Sequence, residues 1–140
     1  MRHCRDCEPV DRASRTGSPR QSRGQVAHHS GLAAEETVER ELAAAGLVCL
    51  ARRWRGPGGE IDLIFRDGDR IIFVEVKTAR SHAEAAERIS RRQADRIAAS
   101  AQAFVASQPN GLMTDMRLDV ALVDGTGRVE VLENAFAGWW

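Results

Sequence analysis

The sequence predicts an α/β domain, a central mixed sheet with helices on both faces, in the order α-β-β-β-α-β-β. Two observations carry this. Two apolar, β-branched runs, residues 59–65 and 71–77, flank the turn signal Asp67-Gly68-Asp69 and read as a β-hairpin. A helical stretch then separates the first three strands from two more, and a crossover helix within one sheet gives a layered α/β fold.

Taken in order, residues 1–30 are rich in Arg, Ser, Gly and His, contain Pro9 and Pro19, and have almost nothing apolar to bury. They predict a disordered basic tail. His3-Cys4-Arg5-Asp6-Cys7 places a C-x-x-C in it, which invites a zinc reading. Structural zinc takes four ligands, no second pair lies at finger spacing, and His28 and His29 would join only through a long loop. The solvated tail is preferred, with phosphate contacts from its arginines as the alternative. The domain is expected over residues 31–136, with 137–140 as a C-terminal end. Leu32, Val38, Leu42 and Ala45 make a helical stripe that Gly46 terminates. Residues 47–54 read as the first strand, and Gly56-Pro57-Gly58-Gly59 breaks the pattern before the hairpin. One helix is expected over 83–107, with Ile89, Ile97, Ala101 and Phe104 inward and Pro109-Asn110-Gly111 ending it. Residues 116–123 and 128–132 read as strands around Asp124-Gly125-Thr126-Gly127.

At 140 residues there is room for one domain with a real core. Twenty Lys plus Arg balance twenty Asp plus Glu, so any nucleic-acid contact must come from local basic patches. There is no long apolar run and no hydrophobic stretch behind the basic N-terminus. Neither a membrane span nor a secretory signal is expected, and the cytoplasm is the default compartment. Three cysteines make no disulfide framework.

The hairpin holds the chemistry. Side chains alternate along a strand, so Glu75 and Lys77 project from one face while Val74 and Val76 fill the other. Glu60 and Asp62 share a face in the same way, with Ile61, Leu63 and Phe65 opposite. Burying such groups costs several kcal/mol each unless they are paired or metal-bound. Carboxylates on adjacent strands can converge on Mg²⁺, and a lysine beside them can stabilise an attacked phosphate or help deprotonate water. Asp62, Glu75 and Lys77 are the minimum parts for metal-assisted phosphodiester hydrolysis. The competing reading is a sheet edge protected by charges.

Glu35 falls inside the apolar stripe of the first helix at ~100° per residue, where a carboxylate needs a partner such as the hairpin cluster. Its alternative is a boundary residue that reaches water or favours the positive helix end. Arg88, Arg92 and Arg96 form an i, i+4 row, and Arg52, Arg53 and Arg55 flank Trp54. Either set would grip phosphates, with Trp54 as a stacking face. The alternatives are a wet helix face and a half-buried core tryptophan. Arg117 and Asp119 share a strand face, as an ion pair would.

Asp62 followed after a turn by Glu75-x-Lys77 resembles the PD-(D/E)xK motif of restriction-endonuclease-like nucleases. More narrowly, the chain resembles the YraN family of uncharacterised bacterial proteins, which is related to archaeal Holliday-junction resolvases. The match is carried by Gly31 with Glu35, Leu42, Gly46 and Arg53-x-Arg55, then by Gly59-Glu60-Ile61-Asp62-Leu63-Ile64 and Phe73-Val74-Glu75-Val76-Lys77-Thr78. Arg117-x-Asp119-Val120 and Asn134-Ala135-Phe136 complete it. The resemblance implies a restriction-endonuclease-like fold and an endonuclease that cuts DNA, including branched DNA, with Mg²⁺ or Mn²⁺. It implies metal ligation by Asp62, Glu75 and the Val76 carbonyl, assistance by Lys77, and a Glu35 that orients the attacking water. Glu60 becomes an accessory carboxylate, as do Arg117 and Asp119 accessory residues, and a homodimer is implied. Gln93 stands where the family usually has lysine, and Ala79 where arginine is common, with Arg80 next. Both departures remove positive charge. The rival reading is a non-catalytic nucleic-acid-binding or protein-interaction module that retains the fold.

Overall fold

The structure is a computed structural model that describes residues 23–137, with side chains from residue 31 onward. The expectations for the first 22 residues, including the Cys4–Cys7 pair, and for the last three lie outside the described residues. Helix α1 runs Arg23–Ala44, followed by strands β1 (Val48–Gly56), β2 (Gly59–Asp67) and β3 (Arg70–Thr78). Helices α2 (His82–Ala86) and α3 (Arg91–Ala106) lead through a single 3₁₀ turn to β4 (Met116–Val123) and β5 (Val129–Leu132). The five strands form one open sheet in sequence order, antiparallel except for the parallel β3–β4 pair that the α2–α3 crossover makes possible.

Apolar side chains on the two sides of the sheet make two cores. Ile64, Ile71, Phe73, Leu118 and Val120 pack beneath α3 through Ala94, Ile97, Ala101 and Val105. Leu63, Phe65, Ile72, Val74, Ala121 and Val123 pack beneath α1 through Ala34 and Val38. A helix therefore covers each face, as expected. Among the described residues no helix is long and apolar enough to cross a membrane.

Helix α1 ends as the sequence indicated. Gly46 takes φ 103°, its N–H donates to the Ala43 carbonyl, and the Leu47 N–H donates to Leu42. Those are the paired bonds of a left-handed glycine cap. The turn between β1 and β2 is seated on α3. Ser100 Oγ accepts from the Gly58 N–H and donates to the Gly59 carbonyl, both at 2.9 Å. A Cβ on Gly58 would collide with the Arg96 carbonyl, so this approach requires glycine.

Four expectations are corrected. Helix α1 begins at Arg23, so residues 23–30, expected in the disordered tail, are helical. The single helix over 83–107 is two helices, because Ser90 is extended (φ −127°) and its hydroxyl caps α3 by accepting from the Gln93 N–H at 3.1 Å. Arg88 consequently lies between the helices and donates to the Thr78 carbonyl, so it belongs to no row with Arg92 and Arg96. Ile61 packs beneath α3, whereas Leu63 and Phe65 pack beneath α1. The alternation breaks at Asp62, which lies across from Arg53, a non-glycine residue at φ 49°.

Candidate active site

Glu75 and Lys77 continue the parity of Ile71 and Phe73 and point to the α3 side. Val76 packs with Val74 against the α1 core. Pairing between β2 and β3 stops at Leu63 opposite Val74. Past that point the Val76 N–H donates to Asp62 Oδ2 at 2.8 Å. The Asp62 carboxyl group is hydrogen-bonded to that of Glu75. Lys77 Nζ stands 3.4 Å from Glu75 Oε2, and Gln93 Nε2 donates to the same oxygen at 3.1 Å. The side chains of Glu75 and Lys77 are only 12% and 16% exposed. Asp62, Glu75 and Lys77 thus meet where the two strands part.

Burial sets the electrostatics. It pushes the Glu75 carboxyl up to about 7, the Asp62 charge adds to this, and Lys77 opposes it. Asp62 is also raised, because burial outweighs the Val76 N–H and the Lys77 ammonium. Two buried carboxyl groups in contact resist ionising together. Glu35 on α1 is raised to about 7, first by burial and then by the Asp62 charge, against Arg53. Arg53 holds Glu35 with both arms of its guanidinium, at 3.2 and 3.4 Å. Left-handed backbone at a non-glycine residue is strained, and such strain concentrates at functional sites.

The other sequence-chosen residues lie apart from this cluster. Glu60 is exposed and pairs with Arg55 across the β1–β2 turn at 3.2 Å. Arg92 and Arg96 are exposed on α3. Trp54 is half-buried against Phe104, edge to face at 5.2 Å. Arg117 grips Asp119 through two 2.9 Å bonds, and Asp119 Oδ1 also accepts from the Asn134 N–H. Two participants were missed in the sequence: Arg53 as the partner of Glu35, and Gln93 as the partner of Glu75. The spacing Ser90-x-x-Gln93 was a capping signal that would have started α3 there, though not one that foretells the contact with Glu75.

Among the described residues no three His, Cys, Asp or Glu side chains are grouped to hold a metal ion. Mg²⁺ commonly uses only one or two carboxylates beside water and phosphate oxygens. Asp62 and Glu75, two largely buried carboxyl groups in mutual contact with a single ammonium beside Glu75, fit that smaller demand.

The open five-stranded sheet and its element order fit the layout of a restriction-endonuclease-like domain. The model of the uncharacterised protein family UPF0102 matches residues 34–123. A UPF0102 protein of Cereibacter sphaeroides (strain ATCC 17025) is 56% identical over 114 residues, 81% of this chain and 97% of the relative. One of Ruegeria pomeroyi is 54% identical over 115 residues, covering 82% and 94%. Another, of Dinoroseobacter shibae, is 46% identical over 130 residues, covering 93% and 92%. The chain belongs to the UPF0102 family, the YraN family that its motifs resemble.

Proposed function

We propose that this domain hydrolyses DNA phosphodiester bonds in a reaction dependent on Mg²⁺ or Mn²⁺. The supporting observation is the contact set of Asp62, Glu75 and Lys77, two largely buried carboxyl groups hydrogen-bonded together with an ammonium 3.4 Å from one of them. When bound, the cation supplies Lewis-acid polarisation of the phosphate and eases deprotonation of water. Asp62, Glu75 and the Val76 carbonyl would hold it. Lys77 stabilises the negative charge that builds on the attacked phosphate. Glu35, with its carboxyl raised to about 7, orients the attacking water and receives its proton near neutral pH. Arg53 keeps Glu35 in position, and Arg55, Arg92 and Arg96 lie exposed to DNA phosphates.

A second reading, a non-catalytic interaction module on the same fold, draws support from charge. The chain is neutral overall, and Arg52, Arg53 and Arg55 each pair with a glutamate. Cleavage of branched, flapped, single-stranded and duplex DNA in Mg²⁺ or Mn²⁺ decides between the two. Wild type is expected to cut at least one substrate. Lys77→Ala is expected to abolish cutting yet keep metal binding by calorimetry, since an ammonium is not a ligand, whereas Asp62→Ala weakens both. Full activity in Lys77→Ala overturns the mechanism. DNA binding without cleavage of any substrate establishes the second reading.

A further inference from the structure

Gln93 is the third residue of α3, and its backbone N–H is already held by Ser90 Oγ at 3.1 Å. In a reciprocal cap the side chain at this position turns back to the capping residue's own N–H. Here it goes elsewhere: Gln93 Nε2 donates to Glu75 Oε2 at 3.1 Å, the oxygen that faces Lys77 at 3.4 Å. The neighbouring Ala94 and Ile97 are buried against the sheet, so the first turn of α3 has little freedom to withdraw from Glu75. Gln93 therefore ties the helix to the carboxylate and adds no charge. The Glu35 charge is met by Arg53. When fully ionised, the three carboxylates Glu35, Asp62 and Glu75 face only the two cations Arg53 and Lys77, which leaves one negative charge uncompensated.

We infer that Gln93 is the positioning residue for Glu75 and that its neutrality makes the cluster depend on a divalent cation. The second half rests on the reading of Asp62 and Glu75 as cation ligands. A lysine at this position would keep a donor on Glu75 while supplying the missing charge. An alanine would remove the donor and supply nothing.

The test uses the full chain as wild type, Gln93→Lys and Gln93→Ala. Mn²⁺ titrations by calorimetry are set beside melting curves in EDTA at mildly alkaline pH. Gln93→Lys is expected to weaken Mn²⁺ binding about tenfold or more through the added charge, yet to melt higher than wild type in EDTA. Gln93→Ala is expected to bind Mn²⁺ a few-fold more weakly and to melt no higher. Opposite movement of affinity and metal-free stability is a signature that a merely structural role lacks. If both variants melt lower and neither shifts Mn²⁺ affinity, the inference is overturned while the nuclease reading stands. If wild type takes up no Mn²⁺ but Gln93→Lys still melts higher, the ligand reading and the cation dependence fail, and the positioning of Glu75 holds. Should Gln93→Lys not fold, Gln93→Glu reads the same charge in reverse: lower melting in EDTA, recovered by Mn²⁺. Melting equal to wild type in that variant overturns the contact.

Discussion

The Val76 N–H and the Asp62 carboxylate meet at 2.8 Å just beyond the last residue pair that β2 and β3 make. That bond does two things. It gives a strand donor a partner where the sheet opens, and it turns the Asp62 carboxyl toward Glu75. The opening between the strands and the assembly of the cluster are one structural event.

Two substitutions at Asp62 separate those roles. Asp62→Ala removes the acceptor, and leaving a part-buried N–H unpaired costs about 1–3 kcal/mol. Asp62→Asn keeps an acceptor of the same size and removes the charge that raises Glu75. In EDTA the Asn variant is expected to melt at or above wild type and the Ala variant below it. Wild type is expected to melt higher in Mg²⁺, and neither variant is expected to show that rise. Identical melting of the two variants would show that the Val76 bond contributes nothing.

Glycines 58 and 31 provide a contrast in packing. A methyl on Gly58 meets the Arg96 backbone carbonyl, and backbone cannot rotate away as a side chain can. Gly58→Ala is expected to cost about 1–3 kcal/mol in denaturant unfolding, typical of overpacking. Gly31 lies in α1 with open space around the added carbon. Gly31→Ala is expected to stabilise by about 0.5–1 kcal/mol, because alanine gives up less backbone freedom in a helix. Gly58→Ala as stable as wild type would mean that the β1–β2 turn is not held against α3.

Sequence periodicity served wherever the chain is regular. β3 is a straight strand, so its alternation put Ile71 and Phe73 on one side, Ile72 and Val74 on the other, and Glu75 and Lys77 in line with the former. The helical stripe likewise put Glu35 on the sheet side of α1, and a pattern-ending glycine located the cap. Reading failed where one residue departs from its element. The alternation of β2 breaks at Asp62, across from Arg53 in left-handed backbone, which puts Ile61 in the other core, and Ser90 in extended backbone cut a helix whose residues are otherwise good helix formers. The pairing of Arg53 with Glu35, and of Arg52 with Glu39, joins a strand to a helix packed over it. No local spacing encodes such a contact, and the arginines accordingly read as free for phosphate.

The Arg117–Asp119 pair is expected to matter for stability at a distance from the cluster. Asp119 is 3% exposed, and its Oδ1 accepts from both Arg117 and the Asn134 N–H. It thereby fastens the turn that buries Phe136. Arg117→Ala leaves a buried carboxylate without its cation, a loss of about 3–5 kcal/mol in comparable buried pairs. Asp119→Asn is expected to cost less, since an amide oxygen still accepts from Asn134. Urea midpoints for the two variants check the order, and a milder Arg117→Ala would refute it.

The pH dependence of stability follows from the raised carboxyl groups. Glu35, Glu39 and Glu75 lie at about 7 in the folded chain against a usual 4.5, each chiefly through burial. Between those values the folded chain holds more protons than the unfolded one, so stability declines as pH rises. The contribution is complete below about 4.5 and is lost as pH passes through about 7. Asp124 acts in a separate, lower window, because its bonds from Thr126 and Arg128 hold it at about 2. Glu39 isolates the effect, being buried on α1 with Arg52 at 3.8 Å and standing outside the Asp62–Glu75 contact. Glu39→Gln cannot ionise, so its stability is expected to fall less steeply than that of wild type from about pH 5 to about pH 8. Saturating Mg²⁺ is expected to flatten the share that belongs to Asp62 and Glu75, and to leave the Glu39 share unchanged. Urea unfolding at stepped pH, with and without Mg²⁺, measures both slopes. Stability that rises through this window in metal-free wild type would contradict the burial of these carboxyl groups.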